Sequence, residues 1–120
     1  MNVVESIPSS RIDGLDDEGR LLMENGYVCP HCGHRTGFPL FALGNRADRW
    51  KKHGSEAPNL DPPDAAAFGP ARERWLGSAD KTFAIEWTCA CDRPVAIVWK
   101  VTRGLPGVDR FVPLVVLERG

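Results

Sequence analysis

The sequence predicts a small α+β domain: an antiparallel β-sheet carrying a short N-terminal helix and a partly helical insert. Three observations carry this. From Thr82 to Thr88, Phe83, Ile85 and Trp87 alternate with Ala84, Glu86 and Thr88, and Val95, Ile97, Trp99 and Val101 repeat the alternation; a period of two marks half-buried strands. The cysteines come in two close pairs, Cys29/Cys32 and Cys89/Cys91. Between them, residues 44–80 hold Pro58, Pro62, Pro63 and Pro70 and lose all strand periodicity.

Taken in order, residues 1–11 read as a flexible lead-in, because Pro8, Ser9 and Ser10 offer no periodic apolar face. Residues 12–120 then form a single domain. Asp16, Asp17 and Glu18 suit the positive end of a short helix, Leu21, Leu22 and Met23 its buried side, and Gly26 its left-handed stop. Phe38 to Leu43 is a strand candidate weakened by Pro39. In the insert, Asn45 to His53 and Asp64 to Leu76 have helical character, the second with a break near Gly69 and Pro70. The two alternating runs are separated only by Cys-Ala-Cys-Asp-Arg and Pro94, so they should pair as a hairpin with the cysteines at its turn. Phe111 to Leu117 supplies a further strand, and Pro113 favours an edge position for it.

A chain of 120 residues with 42% hydrophobic content suits one modest core. Fifteen basic and sixteen acidic residues give a net charge of −1, which supplies no bulk attraction to nucleic acid or an anionic membrane. The charge is uneven: residues 1–25 carry six acids and two bases, and the rest carries ten acids and thirteen bases. Arginine outnumbers lysine eleven to four, a composition suggestive of a GC-rich bacterial genome. No run of 18 apolar residues and no basic, apolar leader is present, so a cytoplasmic protein is expected.

In a reducing compartment, closely paired cysteines favour a metal site over a structural disulfide, with buried metal-free thiols, a regulatory or adventitious disulfide and a redox-sensing zinc site as the alternatives. Cys29-Pro30-His31-Cys32-Gly33 has the spacing with which two thiolates in a tight turn converge on one ion. Cys89 and Cys91 are less usual. In an extended strand they would stand almost 7 Å apart, at about 3.3 Å of rise per residue. They can chelate only if the chain bends at Ala90, with Asp92 in the left-handed position that glycine takes in the first turn. One structural Zn²⁺ held by Cys29, Cys32, Cys89 and Cys91 would close both hairpin tips. His31 and His34 are substitute ligands should a cysteine fail to reach, and Arg35 and Arg93 stand where they either offset thiolate charge or face solvent.

Through "VCPHCGHR" and the shortened "TCACDR", the chain resembles the zinc-ribbon family over about residues 26–41 and 82–117. The resemblance implies a zinc-bound three-stranded sheet of zinc-ribbon type, a structural metal, and a role in contacting nucleic acid or protein. No HExxH, Walker A, GxSxG, dinucleotide-binding or deaminase pattern occurs, and a four-sulfur zinc offers no open position, so enzyme activity is not expected. A protein-interaction module or adaptor subunit, meeting an unidentified protein partner, is the expected function. Trp50 and Trp75 are its candidate exposed anchors, whereas Trp87 and Trp99 read as core or sheet-face residues. The alternative is nucleic-acid binding through the basic insert, by Arg46, Arg49, Trp50 and Lys52, extended by Arg72, Arg74 and Trp75.

Overall fold

A computed structural model describes residues 3–40, 43, 68–76, 81–103 and 109–119. The alternating runs build the larger of two antiparallel sheets. Thr82–Thr88 (β5), Pro94–Arg103 (β6) and Asp109–Arg119 (β7) form a meander, and Val3–Ser6 (β1) pairs with the far side of β7, giving the order β1-β7-β6-β5. The register Phe83↔Trp99, Ile85↔Ile97, Trp87↔Val95 puts the expected residues on one face. There Phe83, Val95, Ile97, Trp99 and Val101 join the main core. Ala84, Ala96, Val98, Val115 and Leu117 line the opposite face and pack with Phe68.

Two expectations for these strands need correction. Residues 1–11 are not merely a lead-in, because Val3–Ser6 is a strand whose partners are Val116 to Arg119. β7 is consequently interior rather than an edge. Pro113 is accommodated because pairing slips between Val98↔Val115 and Trp99↔Pro113, and because β1 reaches only as far as Val116. The missing N–H of proline thus falls at a bulge beyond the reach of β1.

The expected N-terminal helix is replaced by a second sheet. Ile12–Leu15 (β2), Leu21–Val28 (β3) and Arg35–Thr36 (β4) pair in the order β2-β3-β4. The acidic run closes a hairpin instead of opening a helix. The Asp16 carboxylate accepts the N–H groups of Glu18 and Arg20, both at 2.9 Å, and Arg20 Nε at 2.8 Å. Gly26 ends no helix either; a Cβ there would lie 2.7 Å from Arg35 Cγ, so its hydrogen side chain lets Arg35 cross β3 and pair with Asp13. Phe38 and Pro39 lie outside any strand, and Leu40 is helical.

β3 carries a pronounced bulge. Between the pairs Leu15↔Leu21 and Asp13↔Gly26, four residues of β3 stand opposite Gly14 alone. Asn25, buried, holds this arrangement by donating from Nδ2 to the carbonyls of Leu22 (2.7 Å) and Phe38 (3.0 Å) while Oδ1 accepts the Phe38 N–H (2.9 Å). Gly14 has φ +83°, and a Cβ there would come within 2.1 Å of the Glu24 carbonyl. Gly14→Ala is therefore expected to cost at least about 1–3 kcal/mol of stability, the range for backbone strain alone; an unchanged denaturation midpoint would contradict this account.

The two sheets meet through an aromatic seam. Tyr27 of the second sheet packs edge-on against Trp87 of the first (5.4 Å between ring centres), and Phe38 does so against Trp87 (5.5 Å) and Trp99 (5.3 Å). Such contacts are worth roughly 0.5–1.5 kcal/mol each beyond the area they bury. A polar clip adds to the seam. The buried Glu118 carboxylate of β7 accepts the Tyr27 hydroxyl, Ser6 Oγ (3.1 Å) and Arg11 Nε (3.0 Å).

From the insert, the structure describes helix Gly69–Leu76 (α1). Pro70 sits in its first turn, where no N–H is required; residues 64–67 of the expected piece lie outside the described residues. The expected helical piece Asn45 to His53 lies outside the described residues. α1 is tied to the first sheet by Arg72 to Glu86 (3.1 Å) and by Arg74 and the Trp75 indole N–H, both donating to Glu5. The Arg74 guanidinium, followed by the Trp75 N–H, holds the Glu5 carboxyl below its ordinary value of 4.5. A lowered folded value stabilises above the unfolded one, and this contribution is lost as pH falls through the folded value. Glu5→Gln should therefore remove an acid-side step in Trp75 fluorescence below pH 4.5; a step that survives the substitution would refute this docking role.

Candidate metal centre

Each cysteine pair occupies the tip of a hairpin, and the two hairpins belong to different sheets. In the first, β3 and β4 end at Val28↔Arg35. The Cys29 N–H donates to the His34 carbonyl (3.0 Å) and the Gly33 N–H to the Cys29 carbonyl (2.9 Å). Gly33 has φ +72° with open space where a Cβ would be, so its glycine is required by backbone conformation and not by crowding.

The second tip repeats this with one residue fewer. Beyond Thr88↔Pro94, the Cys89 N–H donates to the Arg93 carbonyl (2.9 Å) and the Asp92 N–H to the Cys89 carbonyl (2.8 Å). Asp92 adopts φ +65°, the left-handed conformation expected of it. Ala90 and Cys91 lie in the turn, so Cys-Ala-Cys is bent rather than extended.

This folding brings all four sulfurs within 4.8 Å of one another. Cys29 Sγ lies 3.8 Å from Cys91 Sγ, and Cys32 Sγ 3.4 Å from Cys89 Sγ. A tetrahedral zinc with bonds of about 2.3 Å needs sulfur separations of about 3.8 Å, so the cluster fits such an ion with small adjustments. Cys29 and Cys89 are buried, Cys91 is half-buried and Cys32 is exposed. His31 and His34 are exposed and lie outside the four-sulfur group; His31 contributes its backbone N–H to Cys29 Sγ at 3.4 Å.

The thiols are electrostatically unequal. Burial pushes the Cys29 thiol up, but the backbone N–H groups of Cys32 and His31, aided by neighbouring thiols, outweigh it and bring the group to about 7. Burial drives Cys89 the other way, to about 12, opposed by the Cys91 backbone N–H and helped by the thiols of Cys32, Cys29 and Cys91. Four thiolates cannot share so small a volume without a cation. A divalent ion supplies that compensation, and its binding displaces protons from the sulfurs. Tyr27 lies close enough to feel the centre: burial first, then the Glu118 carboxylate and Cys29 and Cys89, push its phenol well above the ordinary range.

The remaining predicted site residues are elsewhere. Arg72, Arg74 and Trp75 have intramolecular partners on the first sheet, and Trp75 is half-buried rather than exposed. Arg35 pairs with Asp13 and not with the thiols. Arg46, Arg49, Trp50 and Lys52 lie outside the described residues. Sequence reasoning missed the Glu118 clip, whose one available signal was a lone carboxylate following the apolar Leu114–Leu117 run.

Fold and site together define a small, mostly antiparallel β protein with one described helix and a four-cysteine cluster suited to a metal ion. No protein-family model, no curated protein and no solved structure matches the chain.

Proposed function

We propose that this chain is a structural-zinc protein of zinc-ribbon type that serves as a protein-interaction module or adaptor subunit. The observation carrying the metal assignment is the convergence of four sulfurs from two hairpin tips on different sheets. Thiolates suit Zn²⁺, and four of them leave no open coordination position, so the ion joins sheets rather than activating water.

The interaction role is supported by the bulge in β3. It presents Leu22 and Met23 to solvent, Met23 at 85% exposure. Beside it runs a groove of about 820 Å³ lined by Met23, Phe38, Pro39 and Leu40 and by the charged Glu24 and Arg35. Gly14 and Asn25 hold the bulge so that Leu22 and Met23 face outward beside the groove, an apolar surface suited to a partner.

Two measurements test the reading. A native mass spectrum of protein purified without added metal is expected to show one zinc per chain; metal-free protein would remove the zinc assignment. Affinity capture with the wild type and with Met23→Asp should differ by loss of a retained protein, whereas identical capture would count against the groove. Labelled single- and double-stranded oligonucleotides at low salt address the alternative. Salt-sensitive binding there would move the assignment to nucleic acid.

A further inference from the structure

The four cysteines of the centre differ in access. Cys29 and Cys89, the first of each pair, are buried, Cys91 is half-buried, and Cys32 is exposed. Beside Cys32 the position of Gly33 opens onto free space, and His31 and His34 are exposed as well. A small solute therefore reaches Cys32 first. The sulfur 3.4 Å from it belongs to Cys89, buried in the other hairpin and 57 residues away in sequence. An accessible sulfur backed by a buried one is the arrangement of an attacking and a resolving cysteine.

We infer that Cys32 is an oxidation site for hydrogen peroxide and that Cys89 resolves it into a disulfide joining the two sheets. In the first step the Cys32 thiolate attacks one peroxide oxygen. The O–O bond breaks, hydroxide leaves with the electron pair, and Cys32 becomes a sulfenic acid. In the second, the Cys89 thiolate attacks the Cys32 sulfur, the S–S bond forms, and the S–OH bond breaks to release a second hydroxide. Two thiolates have given two electrons to one peroxide, which ends as two hydroxides. A metal ion held by the centre keeps only Cys29 and Cys91 and leaves to water. The release of metal rests on the zinc assignment above; the pairing of Cys32 with Cys89 rests on sulfur positions alone.

The nature of the product gives the inference content. Oxidation of most paired cysteines links the members of one pair, here Cys29 to Cys32. In this fold, by contrast, the linkage crosses between hairpins, so the tips remain joined after the ion has gone. The oxidised chain should keep its second sheet docked, unlike a chain stripped of metal under reducing conditions.

The full chain would first have its zinc counted by native mass spectrometry, then be treated with limiting hydrogen peroxide. Released zinc is read with a chromogenic chelator, and disulfides are mapped by fragment-ion spectrometry without reduction. One zinc released per Cys32–Cys89 link, reversed by dithiothreitol and added zinc, is the expected result. Cys32→Ser should slow release at least tenfold. Because that variant also removes a metal ligand, the unaltered chain provides the second arm: dimedone added with the peroxide should trap the sulfenic acid at Cys32, and an adduct at another cysteine would contradict the order of steps. Links confined to Cys29–Cys32 or Cys89–Cys91, or zinc retained under excess peroxide, would overturn the inference. Protein purified without zinc would instead defeat the metal assignment, and the same disulfide map would still decide the pairing.

Discussion

Stripping the proposed zinc from the four-thiol centre under reducing conditions is expected to undock the second sheet. β4 contributes two residues, and its pairing with β3 consists of Tyr27↔Thr36 and Val28↔Arg35. So short a ladder has little stability of its own. What holds it is the closure at Cys29 and Cys32 together with the seam of Tyr27 and Phe38 on Trp87 and Trp99. Structural zinc binds small domains with an apparent ~10–16 kcal/mol, comparable with the whole stability of an ordinary domain, about 5–15 kcal/mol. Chelation, or Cys89→Ser, should therefore lower the melting temperature by tens of degrees. It should also raise amide exchange through Leu21 to Thr36 well before the β6 and β7 amides, which are embedded in a longer ladder. Equal exchange with and without metal would show that the centre is not structural.

Glu118→Ala is expected to produce the next largest effect, about 3 kcal/mol, because it strips the buried Tyr27 hydroxyl and the part-buried Arg11 of their acceptor at about 1–3 kcal/mol for a buried group left unsatisfied. The carboxylate lies where β7, β3 and the segment after β1 meet, and its loss leaves the Tyr27 hydroxyl and Arg11 without their acceptor. Glu118→Gln keeps an acceptor and should cost less. Tyr27→Phe removes a donor and a polar group together, so its cost should be nearer 1 kcal/mol. A double-mutant cycle between positions 27 and 118 should give a coupling of about 0.5–3 kcal/mol; additive effects would mean that the clip does not join the sheets.

These two experiments probe features of different legibility. The convergence of the four cysteines could be read from the sequence because a CxxC turn and a bent CxC are local objects, set by spacing and by residues such as Gly33 and Asp92 that accept positive φ. The β5–β6 hairpin and its inward face were legible for a similar reason, since alternation at period two maps directly onto the two sides of a strand. The segment from Asp16 to Gly26 was misread as a helix because acids followed by Leu-Leu-Met satisfy helix-start rules equally well. Its strand form depends on partners the local pattern does not contain: Asp13 and Gly14 on one side, Phe38 on the other. Pro113 misled in the same way, because its tolerance within β7 depends on where β1 ends.

The sequence by itself determined the four thiols, their placement at two turns, and the apolar face of the central hairpin, all properties of a few neighbouring residues. Tertiary structure alone decided that the described residues form two sheets rather than one, that β1 and β7 pair across almost the full length of the chain, and that Glu118 reaches Tyr27. Each of these is a contact between segments tens of residues apart. Its free energy comes from burial and pairing that arise only once both partners are in place, so no local window of sequence records it.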